Sequence, residues 1–250
     1  MQITTDLFAF PFRDPRWKSK AAVGGLIGLI AMVFFPAFWL IEGYGVQVLR
    51  QTAKGDDPTL PEWDDWGALI LDGLRFTAVY LVYNLPVIVL SLIMMAVLFF
   101  TFMGIPMAAA GGGDSRDLDI AAGLLFAGGM GAIGLCSAVV LIVSFPLQFF
   151  SLVAITRAIA LDRLSAAFEF GEVWRMVKGK LGNYLIAFII LYAVLMGLSL
   201  ALSLTIYTVV LCVIYPVLYG LMMTYISVIA GALFGKAYAE SQNAPAPSGV

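Results

Sequence analysis

Glu62, Asp64, Asp65 and Asp72 form a dense group of carboxylates. Paired carboxylates can hold a cation or pass a proton, so this group is the first place to look for chemistry. The 250-residue sequence contains no histidine, which removes the commonest general base and the commonest metal ligand. No motif of metal-ligand spacing accompanies the acids. The plainer reading is a solvated helix face that blocks export or sets orientation. Cys136 and Cys212 both sit in apolar runs, where a thiol behaves as a small hydrophobe. The sequence therefore predicts no catalytic residue, no cofactor and no metal, in a protein that is not an enzyme.

Glu42 is a sharper candidate, because it follows Trp39, Leu40 and Ile41 within an apolar run. An ionisable group at membrane depth costs roughly 2.5–3.5 kcal/mol on insertion scales, so it must find a partner or reach the interface. Structural pairing or snorkelling competes here with proton or ion transport. Asn84, Gln148 and Asn183 are the other candidate intramembrane polar groups. They could line a substrate path or serve as interhelical hydrogen-bonding groups.

The elements that position these residues follow from composition. The chain is 62% hydrophobic and 12% charged, whereas soluble domains carry charge on about a quarter of their residues. Apolar runs over 21–49, 76–107, 120–156 and 184–234 match or exceed the roughly 20 residues that cross a bilayer. Pro36 interrupts the first run, which reads either as one kinked span or as a hairpin of two short helices, crossing or re-entrant. The last run is long enough for two helices joined by a tight turn.

The expected fold is an all-α integral membrane protein of about six membrane-inserted helices in three hairpins, with two cytoplasmic interfacial amphipathic helices. One membrane domain is expected over 1–238. It comprises an interfacial N-terminus at 1–20, the hairpin or kinked span at 21–49, interfacial helices at 60–75 and 164–181, and hairpins at 76–156 and 184–235. Residues 239–250, rich in Ala, Pro, Ser and Gly, predict a disordered tail.

Arg13, Arg16, Lys18 and Lys20 precede the first run, and Arg157, Arg163, Arg175, Lys178 and Lys180 cluster in a later connection. The positive-inside rule makes these segments and both termini cytoplasmic, which requires the first run to be a hairpin. Nothing resembles a cleaved leader, so the N-terminus is expected to stay in the mature protein. In the interfacial segments Trp63, Trp66, Ile70 and Leu74 oppose acids, and Phe170, Trp174, Val177 and Leu181 oppose Glu169, Glu172, Arg175 and Lys178. Thr59, Pro61 and Glu62 have the spacing of a helix start. Trp17, Trp63, Trp66, Trp174 and Arg175 are candidate interfacial or partner contacts.

Small residues at four-residue spacing mark candidate helix-packing seams: Gly24 with Gly28; Gly123, Ala127 and Gly131; Ser227, Gly231 and Gly235. An internal repeat is also expected. Val139 to Pro146 aligns with Val209 to Pro216, and Val33 to Pro36 echoes the last four residues.

Several segments in order carry a family resemblance: Pro11, Phe12 and Arg13 through Lys20; Gly43 and Tyr44 with Val48, Leu49 and Arg50; Leu60, Pro61, Glu62 and Trp63 through Gly67; then Asp72, Gly73 and Leu74. With them the chain resembles the bacterial and archaeal membrane proteins catalogued as domain of unknown function 4013. The resemblance implies a multi-spanning protein of a prokaryotic cell membrane and carries over no activity and no catalytic residue.

The leading functional expectation is a non-enzymatic accessory or scaffold subunit, with membrane lipid and other membrane subunits or a second copy as partners. A transporter or lipid-handling protein is the alternative. A membrane enzyme would have to work with carboxylates, Tyr or Lys alone. Nucleic acid is not an expected partner, because the basic clusters are short, mixed with acids and adjacent to the bilayer.

Overall fold

The computed structural model describes residues 6–110, 115–206 and 214–242. Among these, all regular structure is helical. Helices α1 (Asp6–Arg13), α2 (Trp17–Ala31) and α3 (Phe38–Ala53) come first, with a 3-10 turn at Phe35–Ala37 between the last two. Two long helices follow, α4 (Trp66–Ala110) and α5 (Ser115–Ala160). A 3-10 turn at Leu164–Phe168 leads to α6 (Phe170–Gly179), α7 (Leu181–Ile206) and α8 (Tyr215–Gln242). Four apolar segments, Trp66–Met103, Phe126–Ala160, Leu181–Thr205 and Tyr215–Gln242, are long and apolar enough to cross a bilayer. The protein is a multi-pass membrane protein.

The chain divides into two compact units, one made of residues up to Tyr80 together with those from Ser151 onward, the other of Leu81–Phe150. In the first unit α8 is the hub, packing on α2, α3 and α7. Gly24 faces Thr224 and Gly28 faces the Gly220 backbone, while Gly45 faces Ser227 and Gly235 faces Thr52. Numbers fall along α2 and rise along α3 as α8 is followed, so α2 and α3 are antiparallel. The run over 21–49 is therefore a hairpin of two short helices, and Pro36 sits in its turn, where a missing N–H costs nothing. A second close approach is reciprocal: Gly43 of α3 meets the Leu69 carbonyl of α4, and Gly73 of α4 meets the Trp39 carbonyl of α3. Without a hydrophobic drive between helices in lipid, such backbone proximity is what packing can use.

The Leu81–Phe150 unit contains the remaining lengths of α4 and α5. Gly129 accommodates the Thr101 side chain, and Ser137 Oγ donates to Met94 Sδ at 3.5 Å. Leu92, Phe100, Leu124, Leu135, Leu141 and Ile142 are exposed, as lipid-facing side chains are. Pro86 and Pro146 lie inside continuous helix, which membrane helices tolerate.

Several expectations change. Residues 60–65 are not helical, so no separate helix spans 60–75 and α4 starts at Trp66. The Leu60 and Pro61 carbonyls are taken by the Lys20 ammonium and the Tyr44 hydroxyl, and Pro58 and Pro61 offer no N–H. Segment 164–181 is a 3-10 turn, a short helix and the start of α7 rather than one element. The tail expected from 239 is helical through Gln242, because Glu240 accepts from Asn183 and Ser241 is bonded to Tyr184. The remainder, 243–250, lies outside the described residues, as do the 111–114 loop and Cys212. The repeat has no structural support: Pro36 is in a turn, Pro146 inside α5 and Pro216 at the start of α8. Val209 to Val213 lie outside the described residues.

Candidate binding cavity

The turn between α1 and α2 places a buried lysine. The Asp14 carboxylate accepts the Arg16 N–H at 2.7 Å and the Lys20 ammonium at 2.6 Å. The same ammonium donates to the Leu60 carbonyl at 2.8 Å and lies 2.8 Å from Glu62, which also takes Arg16 at 2.5 Å. Two hydrogen bonds and an ion pair thus hold Lys20, which is only 6% exposed. The Lys20 hydrogen bond holds the Asp14 carboxyl below the ordinary carboxylate value. The loop is clamped further by Trp63, whose indole N–H donates to the Lys20 carbonyl at 3.1 Å and whose ring stacks on Tyr44 with centroids 4.0 Å apart. The Tyr44 hydroxyl donates to the Pro61 carbonyl at 2.8 Å.

Beside this clamp lies a cavity of about 650 Å³, bounded by α1, α2, α7 and α8. That size falls within the ~300–1,000 Å³ typical of ligand sites. Its walls include Phe12, Ala21, Leu198, Leu202, Leu221 and Val228. The hydroxyl and ammonium groups on the wall are already engaged. Lys20 and Tyr44 hold the loop, Thr224 donates to the Gly220 carbonyl at 2.9 Å, Thr205 to Leu202 at 2.7 Å, and Tyr225 to Phe8 at 3.2 Å. An occupant therefore meets a surface that is mostly hydrocarbon.

The carboxylate group dissolves into separate tasks. Glu62 belongs to the clamp. Asp65 caps α4, accepting the Ala68 N–H at 3.0 Å, and Asp64 accepts the Asp65 N–H. Asp72, 5% exposed, takes the Arg50 guanidinium through two bonds of 2.8 and 2.9 Å, with Arg75 and Asp162 nearby. Arg157 is held in turn by Glu169 at 2.6 Å and the Ala166 carbonyl at 2.7 Å.

A family described as a protein of unknown function, DUF4013, matches residues 26–207. The chain belongs to it. No curated protein and no solved structure matches the chain. The DUF4013 match includes Tyr44, Leu60, Glu62, Trp63, Arg50 and Asp72, while Asp14, Lys20 and α8 lie outside its bounds.

Among the intramembrane candidates, Glu42 lies beside Ser227, and Asn183 donates to Glu240 at 3.3 Å, so their partners are well separated along α8. Asn84, 3% exposed, and Gln148 belong to the Leu81–Phe150 unit. Trp17 lines the cavity and Trp63 the clamp. Trp66 is half exposed, and Trp174 is exposed on α6 under the Lys178 ammonium, 4.9 Å from its centroid. Arg175 pairs with Glu172 at 2.5 Å. Gly24, Gly28, Ser227, Gly231 and Gly235 all lie against neighbouring helices, Gly231 against the Gly45 carbonyl. A side chain added at Gly123 or Gly131 would meet no neighbouring helix within 4 Å, and Ala127 is exposed. The sequence reading did not single out Lys20, Tyr44, Gly43, Gly45 or Gly220 as site or seam residues. The segments carrying the family resemblance contain Lys20, Gly43 and Tyr44, while Gly220 and Thr224, four residues apart on α8, form a separate contact that faces α2.

Proposed function

We propose that this DUF4013 protein binds the hydrocarbon part of a membrane amphiphile in the cavity between α1, α2, α7 and α8. It is a lipid-handling protein rather than an enzyme, in a prokaryotic cell membrane. One observation carries the reading: a ligand-sized, largely apolar cavity whose wall hydroxyl and ammonium groups are internally satisfied. Its α2–α3 hairpin inserts without crossing, since 15 and 16 residues at about 1.5 Å each fall short of a ~30 Å hydrocarbon layer. With the four long helices this makes six membrane-inserted helices, with both termini and the basic connections cytoplasmic.

The test is mass spectrometry of protein extracted gently from its own membrane, scoring retained lipids and co-purifying proteins. Wild type keeps a lipid, and Ala201→Trp, which fills the cavity, loses it while remaining folded. Equal retention in both proteins, or none in either, overturns the reading. A second reading, an accessory subunit, is favoured by Phe170 and Trp174, which α6 leaves 61% and 49% exposed. A stoichiometric protein partner lost on Trp174→Ala would favour it.

A further inference from the structure

A second cavity lies on the opposite flank of the α3–α8 contact, and its chemistry differs from that of the large one. Gly45 and Gly231 bring α3 and α8 together closely enough to set Glu42 of α3 beside Ser227 of α8. Between them and α5 is a space of about 40 Å³, lined by Glu42, Ser227 and Thr156, with otherwise hydrocarbon side chains around it. A space of ~10–15 Å³ already admits a water-sized occupant.

Counting donors shows what is missing. The Thr156 hydroxyl donates to the Leu152 carbonyl at 2.7 Å, and the Ser227 hydroxyl to the Ile41 carbonyl at 3.1 Å. Ser227 therefore has one hydrogen for two acceptors, the Ile41 carbonyl and the Glu42 carboxylate. Among the described residues Glu42 has no cationic partner. The space is thus faced by a carboxylate and two hydroxyl oxygens whose hydrogens are directed at backbone. An ionised carboxylate inside the membrane without compensation is costly, and oxygen-only acceptor sets suit hard cations.

We propose that this space is a monovalent cation site, with Na⁺ held by the Glu42 carboxylate and the oxygens of Ser227 and Thr156, and with water completing its shell. The site is independent of the lipid reading, because it shares no lining residue with the large cavity.

The experiment uses the full chain in nanodiscs of one defined lipid. Thermal unfolding is followed in NaCl and in choline chloride at equal ionic strength. A ligand that binds only the folded state raises the midpoint with concentration. Wild type shows a saturable, Na⁺-specific rise; Glu42→Gln shows none; and Thr156→Val needs about tenfold more Na⁺ for half the effect. Broadening of the ²³Na resonance by wild-type protein, reversed by Li⁺ and not by choline, reads the site without any variant. A wild-type midpoint indifferent to Na⁺, an equal rise in Glu42→Gln, or the absence of ²³Na broadening overturns the proposal. So does an infrared band of protonated Glu42 that persists unchanged in saturating Na⁺, since the carboxyl would then carry its own hydrogen.

Discussion

The two units solve the membrane problem differently. The unit containing α8 is fixed by directional contacts: a lysine hydrogen-bonded to a carboxylate and a carbonyl and paired with a second carboxylate, a two-bond Arg50–Asp72 pair, and glycines that admit a neighbouring backbone. The described side chains of the Leu81–Phe150 unit carry no charge, and many of its large apolar groups face outward. Apolar composition alone specifies residence in lipid, while polar and small residues specify which surfaces meet.

That contrast can be broken first at a glycine. Gly28→Leu drives a side chain into the Gly220 backbone, which cannot move aside as a flexible side chain can, and folded protein should be lost from detergent-extracted membranes. Lys20→Met comes next. It strips Asp14, Glu62 and the Leu60 carbonyl of their shared donor, and breaking a buried pair costs about 3–5 kcal/mol. Glu62 keeps access to water, so chemical denaturation should report the low end of that range.

Acid reads the same clamp from its other partner. Because the Asp14 carboxyl is held below its ordinary value, its contribution is present in full above the ordinary carboxylate range and is lost as pH falls through the lowered value. Wild type should therefore lose stability in that acid window, and Asp14→Asn should be less stable at neutral pH and flatter below it. Asp65→Ala removes the α4 cap and should cost about 0.5–2 kcal/mol in the same assay. The smallest effect belongs to the other unit: Gly131→Leu meets open space and should leave the unfolding midpoint within about 0.5 kcal/mol of wild type.

The glycine pair also shows what was legible in the sequence. Two seams with the same four-residue spacing, 123/127/131 and 227/231/235, read alike, yet the first has open space beside both glycines and the second lies along α3. Spacing defines a face and says nothing of whether a neighbour arrives. The long apolar runs were legible as helices because length and hydropathy decide that locally. The start of α4 was not, since Thr59 and Glu62 have the right spacing but are engaged elsewhere, Thr59 with Gln51 and Glu62 with Arg16 and Lys20. Asp65 caps the helix instead. The large cavity was invisible because its character depends on where hydroxyl and ammonium hydrogens go, and apart from the Asp14 and Glu62 carboxylates those acceptors are backbone carbonyls that any residue supplies.

The contacts that Gly24, Gly28, Gly45, Gly220, Gly231 and Gly235 make between α8 and its neighbours have an entropic side. A leucine buried in a helix interface gives up rotamer freedom worth about 0.5–1 kcal/mol, whereas a glycine has no side-chain torsion to surrender. Contact through these positions therefore leaves almost all side-chain disorder where it was, on the lipid-facing surfaces. The helices can associate tightly without ordering the side chains they present to the bilayer.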